Sequence, residues 1–422
     1  ISFIRSLNRS TELFILEKFV KKGYLIADIV LNFDKKGNLK NNFEITGFIK
    51  DAKINFLNKY KLENLNLIFN LDKKKLQLEE IKLSFNNLKF FSNNLSIVQQ
   101  NNKFKVFGEI KNQDLILNQD NIELLVKPYF KIIDVKKIVF NSKNNFSFLA
   151  DKKFKIEDLE IQSKINLNEF SISNKFQLKD IFPKVKDDLK LKNQNIDIEY
   201  KENNLKIKGS GDIFIQENKD KISYFINKKN TKFDFDSSLE VNQNLLNLNI
   251  LDFEKDKNDK ATIKIKGSKE LKKFTKLDLI SLEENSNKIV IENLIFDKNL
   301  KIIDLKKFYI DILDKKNNIN KFSIVKKNND YFLKGQSFNA NNLIENLLED
   351  NDAPKILNKN FKIFFHVDQL ILDQNFNLKN FKGDLFIKNQ EIINGDLEGL
   401  FSKKKKLKFT VKSIDNKKIT TL

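Results

Sequence analysis

Few side chains in this sequence have the type and spacing that catalysis or metal binding requires. The only histidine, His366, stands between Phe365 and Val367 in an alternating stretch. No second metal ligand or general base lies at a suitable spacing from it. Alternation places successive side chains on opposite faces of a strand, so we expect an outward-facing histidine opposite Phe365.

Paired carboxylates are the next candidates for chemistry. Glu79-Glu80, Asp187-Asp188 and Glu283-Glu284 fall in or near expected turns, where we expect solvated charges. The close glycine pair around Ser210 precedes a strand and not a helix, so it is not a phosphate-binding loop. No nucleotide-binding, nucleophile-elbow or zinc spacing occurs. The sequence therefore predicts neither an enzyme nor a cofactor nor a metal site.

The charge of the chain has two interpretations. Lys and Arg total 77 against 57 acidic residues, a net charge of +20, and only Arg5 and Arg9 are arginines. Lysines on exposed faces, enriched by an AT-rich genome, account for this pattern. Attraction to anionic surfaces such as phospholipid headgroups is the other interpretation. Nucleic-acid binding usually relies on arginine forks and stacked aromatic side chains, so we expect no nucleic-acid partner.

A short phrase that recurs along the chain indicates the fold. Two apolar residues in alternation precede a glycine at Gly47, Gly108, Gly209, Gly267 and Gly335. Alternation of period two is typical of β-strands, and repetition at tens of residues indicates a repetitive β architecture. The glycine is expected at a bend or at a close approach of neighbouring backbones.

The remaining elements are few. Helical spacing predicts short helices near residues 11–22, 179–190 and 339–349, and a further turn or two near 268–277. No linker divides the chain, so residues 1–422 are expected to form one continuous repetitive segment. Because the chain does not begin with Met, we expect a fragment of a longer protein. No run of 18 apolar residues that would span a membrane occurs.

The function of such a sheet depends on whether its apolar face is packed in a core or left open. Roughly 25 to 30 strands at about 4.8 Å spacing would make a sheet about 120 to 140 Å long, with one apolar face. Such a sheet splits into two packed layers or curls into a trough. A trough would leave an apolar lining that suits acyl chains, which need no directional bonds. The alternation predicts this lining: Phe43, Ile45, Leu65, Leu67, Phe69, Phe104, Val106, Phe233, Phe235, Ile263, Ile265, Leu333, Phe361, Ile363, Phe365, Leu385, Ile387, Leu407, Phe409 and Val411.

Three phrases resemble a known family. Residues 332–344 (FLKGQSFNANNLI) resemble the strand, glycine and short helix of AsmA-like bacterial envelope proteins, most closely the large members of the YhdP type. Residues 376–385 (FNLKNFKGDL) and 393–397 (INGDL) are similar to the hairpins that follow. Residues 43–54 (FEITGFIKDAKI) are similar to upstream repeats of the same family.

The resemblance implies a mainly β fold, an elongated, highly twisted antiparallel sheet curled into a taco-like hydrophobic groove with a few short helices. It also implies an inner-membrane anchor at the N terminus, outside this chain, and a periplasmic location. The implied function is a conduit that carries phospholipid between the inner and outer membranes of a Gram-negative bacterium, in outer-membrane biogenesis. The alternative is a structural or adhesive β-repeat protein of the envelope with a closed sandwich core and no ligand.

Overall fold

The structure of the protein is a computed structural model, and strands make up most of it. It describes residues 20–37, 44–56, 60–72, 74–128, 133–153, 155–271, 273–341, 360–373, 376–388, 391–401, 405–414 and 417–421. The strands in these ranges are β1 (Val20–Val30), β2 (Glu44–Phe56), β3 (Tyr60–Leu71), β4 (Lys75–Phe85), β5 (Leu88–Gln100), β6 (Lys103–Leu117), β7 (Val135–Ala150), β8 (Ile156–Ser173), β9 (Asp188–Lys201), β10 (Asn204–Phe214), β11 (Asp220–Lys229), β12 (Lys232–Val241), β13 (Leu246–Leu248), β14 (Phe253–Lys255), β15 (Ala261–Glu270), β16 (Thr275–Glu284), β17 (Asn287–Phe296), β18 (Ile302–Leu313), β19 (Ile319–Lys327), β20 (Asp330–Asn339), β21 (Phe361–Ile371), β22 (Asn377–Lys388), β23 (Glu391–Leu400), β24 (Lys406–Ile414) and β25 (Lys417–Thr421).

Within each unit, most strands that follow one another along the chain pair with one another. Most pairs are antiparallel hairpin neighbours, from β1 with β2 to β24 with β25. Among the strand pairs whose register is described, the pairing of β20 with β21 is the parallel one. The prediction of a mainly β, largely antiparallel sheet with very few helices is confirmed.

The chain forms two compact units. Unit 1 comprises residues 1–173 and 190–211, and unit 2 comprises residues 174–189 and 212–422. Within unit 1, β1 to β8 form a meander, and β9 pairs with β10. Within unit 2, β11, β12 and β15 to β25 follow in order, while β13 and β14 form a separate hairpin.

Bulges interrupt the strands of unit 1. Asp51, Asn64 and Asp114 have φ values of 51°, 52° and 44°, and the pairing register shifts at the same places. Asn and Asp tolerate this left-handed conformation better than other side chains. The amide of Asp51 donates to Asn66 Oδ1 at 3.1 Å, and that of Asp114 to Asn141 Oδ1 at 2.6 Å. The bulges at Asp51 and Asp114 therefore each have a side-chain acceptor on a neighbouring strand.

The helix predictions were largely wrong where the structure tests them. Residues 179–187 form turns, and β9 begins at Asp188. Phe182 precedes Pro183, and the proline ring disfavours helical geometry at the residue before it. Residues 268–277 belong mostly to β15 and β16. Of the predicted helix at 11–22, residues 20–22 lie in β1 and the rest lies outside the described residues. Residues 342–349 of the last predicted helix also lie outside them.

A helix that the sequence reasoning missed lies between β6 and β7. It begins as α1 (Gln119–Asn121) and continues as a π-helical stretch (Ile122–Val126). Asn118 caps it, because its Oδ1 accepts a hydrogen bond from the amide of Asn121 at 2.9 Å. The missed signal was this Asn cap ahead of the apolar residues Ile122, Leu125 and Val126.

The glycines of the recurring phrase allow neighbouring strands to approach closely. A Cβ atom at Gly335 would lie 2.4 Å from Phe322 Cβ, and one at Gly47 would lie 2.2 Å from the carbonyl oxygen of Ile26. Both glycines pair with large apolar residues, Gly335 with Phe322 and Gly47 with Phe69. The predicted close approach is confirmed at these two positions.

Candidate functional site

The candidate site is the apolar face of the sheet in unit 2. Residues paired directly across neighbouring strands point to the same face. One unbroken series of such pairs crosses ten strands, from β15 to β24. This series, the long row, consists of Ile265, Ile280, Ile291, Phe308, Ile324, Leu333, Phe365, Gly383, Leu397 and Phe409.

A second series lies beside the long row on the same face. This buried row consists of Ile263, Leu282, Ile289, Ile310, Phe322, Gly335, Val367 and Phe381. Ile310 is 0% exposed, Phe322 4% and Val367 1%, whereas Ile263, Gly335 and Phe381 of this row are half-buried. In the long row only Leu333 is comparably buried, and its other side chains are half-buried.

The margin of the face beyond the buried row is covered by two parts of the chain. The 242–260 segment, which contains the β13–β14 hairpin, contributes Leu246 and Phe253. Residues 174–189 contribute Phe182, and all three side chains pack in the same apolar cluster as Val241 and Ala261. Val241, Ala261 and Leu246 are 0% exposed. This margin is a dry core.

At β11 and β15 the opposite margin of the same face is polar. Phe233 pairs with Lys228 on β11 and with Lys269 on β15, so both lysines share the face of the long row. Lys228 Nζ lies 5.5 Å from the centre of the Phe233 ring. Along β12 and β15 the face therefore changes from a dry core, through half-buried apolar residues, to lysines.

Unit 1 also has an apolar face of this kind. Direct pairing aligns Gly47, Phe69, Leu78, Leu95, Gly108, Phe146 and Ile161 from β2 to β8. Elsewhere in unit 1, Ile122 of the short helix packs in a buried cluster with Leu115 and Leu167. Between these two regions a polar belt crosses the face, where Asn144 Nδ2 donates to Ser142 Oγ at 2.8 Å. Asn112 accepts from the Ser142 hydroxyl and pairs directly with it.

The pairing register places the predicted lining residues together within each unit. In unit 2, all the described ones, from Phe233 to Val411, lie on the face of the long row. In unit 1, Ile45, Leu65, Leu67, Phe69, Phe104 and Val106 share the apolar face. Phe43 lies outside the described residues. The sequence reasoning did not single out Ile280, Ile291, Phe308, Ile324 and Leu397, although alternation within β16 to β19 and β23 was the available signal.

The other face is charged, and it holds the histidine. His366 is exposed and pairs with Lys334 and Lys382, as the alternation predicted. On this face Lys288 Nζ lies 2.8 Å from Glu283 Oε1, and this lysine lowers the pKa of Glu283. A depression of about 460 Å³ lies on this face, and its lining includes Glu283, Lys288, Val290 and Tyr309.

The solvated-carboxylate prediction was wrong for Glu284. It pairs with Ala261 on the apolar face and is 4% exposed. Its Oε2 accepts a hydrogen bond from Asn287 Nδ2 at 2.6 Å, which compensates part of the cost of burial. The alternation of β16 places Glu284 on the face of Leu282. Because Glu284 is the last residue of this strand, the sequence suggested a turn residue in water.

Among the described residues, no three His, Cys, Asp or Glu side chains are arranged to hold a metal ion. Within the same residues no helix is long and apolar enough to cross a membrane. No protein-family model matches the chain, and no curated protein matches it.

Proposed function

We propose that the protein binds the acyl chains of phospholipids along the long row and lets them slide from strand to strand. The observation that carries the proposal is the continuity of the row. Its ten strands give nine steps of about 4.8 Å, or roughly 43 Å of apolar surface. Every side chain along it is apolar, and the only interruption is Gly383, which has no side chain.

The chemistry of the row fits an acyl chain. Apolar surface that is only half-buried gains free energy when an apolar ligand covers it, at about 25 cal/mol per Å². Such contacts have no direction, so they do not fix a chain at one place along the row. Lys228 and Lys269 at the polar margin stand where anionic or zwitterionic headgroups would remain in water. No described feature supplies energy, so the proposed movement is passive or driven from elsewhere.

The cellular setting is part of the same proposal. It places the protein in the periplasm, anchored to the inner membrane by a segment outside this chain, with phospholipid moving between the inner and outer membranes. Support for the setting comes from the resemblance of residues 332–344 and 376–385 to AsmA-like envelope proteins.

Native mass spectrometry of the purified protein tests the proposal. We expect phospholipid masses bound to the protein, and their loss after delipidation with restoration when phospholipid is added back. A protein that carries no lipid and also fails to accept added phospholipid would contradict it.

A structural β-repeat protein with a closed core is the second candidate, and the buried row favours it. Val367 and Ile310 are as buried as residues of a filled sandwich. In that case an apolar dye would find no surface along the long row, and its fluorescence would not rise. Competition between the dye and phospholipid separates the two candidates.

A further inference from the structure

A buried lysine holds the two ends of the 242–260 segment together. Lys255 lies on the inward face of the β13–β14 hairpin, in line with Phe253, and is 0% exposed. Its ammonium group donates three hydrogen bonds of 2.7 Å, to the carbonyl oxygens of Asn242, Asp256 and Asp259. One cation thus ties both ends of the segment together.

Two buried carboxylates attract this ammonium group electrostatically. Asp220 is 0% exposed and Glu284 is 4% exposed, and each is attracted electrostatically to Lys255. Asp220 accepts hydrogen bonds from the amide of Asn242 at 2.9 Å and from Asn244 Nδ2 at 2.7 Å. Burial lowers the pKa of Lys255, and the charges of Glu284 and Asp220 oppose this shift. Burial raises the pKa of Asp220, and the hydrogen bonds from Asn242 and Asn244 and the charge of Lys255 oppose it.

Backbone hydrogen bonds fix the outer parts of the segment. The amide of Lys315 donates to the carbonyl of Asp252 at 2.8 Å, and the amide of Asn247 donates to that of Ile181 at 2.9 Å. Gln216 Nε2 donates to the carbonyl of Leu245 at 2.7 Å. The segment is therefore held by three parts of unit 2 besides the strands that it connects.

We propose that the 242–260 segment is a fixed wall, with Lys255 as its positioning residue, that keeps acyl chains off the Val241–Ala261 margin and confines them to the long row. This inference rests on the proposed function and adds where the ligand does not go. The reason is steric: Leu246 and Phe253 fill the space over the margin, whereas the long row lies beyond the margin and the buried row. A wall held by buried ionic groups does not open easily, because opening would expose its apolar side chains to water.

Single introduced thiols test the wall directly, because the chain contains no cysteine. Ala261→Cys places the thiol beneath the segment, and Ile265→Cys places it on the long row four residues away. Each full-length variant is reacted with a maleimide, with and without a monomeric short-chain phosphatidylcholine. We expect the thiol at position 261 to react at least about tenfold more slowly than that at 265, since reaction requires local opening. Lipid should slow only the reaction at 265.

The role of Lys255 is tested in the Ala261→Cys background. Lys255→Met removes the charge and leaves Asp220 and Glu284 buried without their cation, which is strongly destabilising. We expect the thiol at 261 to react about tenfold faster, with the far-ultraviolet circular dichroism retained. Lys257→Met, on the exposed part of the same loop, is the matched control and should change nothing.

The outcomes separate the two proposals. If the thiol at 261 reacts as fast as that at 265, the wall is wrong, and protection of 265 by lipid still decides lipid binding. If lipid slows the reactions at 261 and 265 equally, the wall is wrong and lipid binding stands. If lipid changes neither rate while 261 stays unreactive, the proposed lipid function is wrong. Should Lys255→Met unfold the protein, the comparison of 261 with 265 in the otherwise unchanged chain still decides whether the wall exists. Faster reaction with Lys257→Met as well would show that Lys255 has no special role.

Discussion

The long row and the buried row differ in what covers them and not in what they are made of. Both lie on one face of the same strands, and Ile265 and Ile263 are separated by a single residue. Yet Ile310 and Phe322 of the buried row are almost inaccessible, while Phe308 and Ile324 beside them are half-buried. Apolar residue type therefore does not decide whether this surface is core or site. The 242–260 segment and residues 174–189 do, because they fill the adjoining margin.

In unit 1 the apolar face is also divided into a covered region and an uncovered row, but other elements cover it. A short helix packs on one region of its apolar face, and a polar belt at Ser142 separates that region from the row through Phe69 and Phe146. In both units a small element that is not part of the meander covers part of the apolar face. We call these covering elements the covers: the 242–260 segment and residues 174–189 in unit 2, and the short helix in unit 1. This pattern predicts that substitutions in the covers affect stability and that substitutions on the long row affect ligand binding.

The largest effect on stability is expected at the cover of unit 2. Phe253→Ala should lower the free energy of unfolding by about 3–5 kcal/mol, because a fully buried aromatic side chain leaves a cavity. Phe409→Ala on the long row is the control and should cost clearly less, since Phe409 is half-buried. Urea unfolding followed by circular dichroism measures both. Equal losses would mean that the two regions are packed alike.

A smaller effect is expected where strands approach closely on the apolar face. Gly335→Ala puts a methyl group against Phe322, and we expect a loss of about 1–3 kcal/mol from the forced shift. Lys334→Ala, the neighbouring exposed position on the other face, should change stability by no more than about 0.5 kcal/mol. If Gly335→Ala proved neutral in urea unfolding, tight approach at this glycine would not matter to the fold.

The short helix that covers part of unit 1 should be less stable when its N-terminal cap, Asn118, is removed. Asn118→Ala removes the hydrogen bond to the amide of Asn121 and should cost about 1 kcal/mol. Hydrogen exchange at Ile122 and Leu125 should accelerate, while that of the strands through Phe69 stays unchanged. The exposed turn residue Asn102 offers the control Asn102→Ala, for which no change is expected.

The charged face should matter least. Lys201 forms an ion pair with Glu160 at 2.8 Å, and both side chains are largely in water. Exposed ion pairs contribute little, because solvent and salt screen them. We expect Lys201→Ala to leave the urea midpoint within experimental error and lipid binding unchanged. A clear drop in either would show that the wet face has a role beyond solvation.

The sequence predicts the sheet well because alternation and turn residues are local signals. The same alternation placed the described lining residues on common faces, even across the parallel pair that joins Leu333 with Phe365. Bulges at Asp51 and Asp114 were not foreseen, since an added residue is visible only against the register of its neighbour.

The sequence could not predict which parts of the chain pack over the apolar face. Which face a loop folds onto depends on contacts distant in the sequence, such as Lys255 with the carbonyl of Asn242 and the buried Asp220. In isolation a single buried lysine in a lysine-rich chain has no distinguishing sequence signal. The predicted helix at 179–190 failed because tertiary packing of Phe182 and the geometry of Pro183 outweighed weak helical spacing.

Lipid binding by one matched pair of variants tests whether acyl chains bind along the long row. Ile265→Asp puts a carboxylate into the long row, and Lys266→Asp puts the same group on the opposite, wet face one residue away. Binding of a fluorescent phospholipid is measured for both variants and for the unchanged chain, with circular dichroism as the check on folding. We predict that Ile265→Asp binds at least about tenfold more weakly, because the charge must be desolvated beneath an acyl chain, and that Lys266→Asp binds like the unchanged chain. Equal binding by the two folded variants would contradict the account.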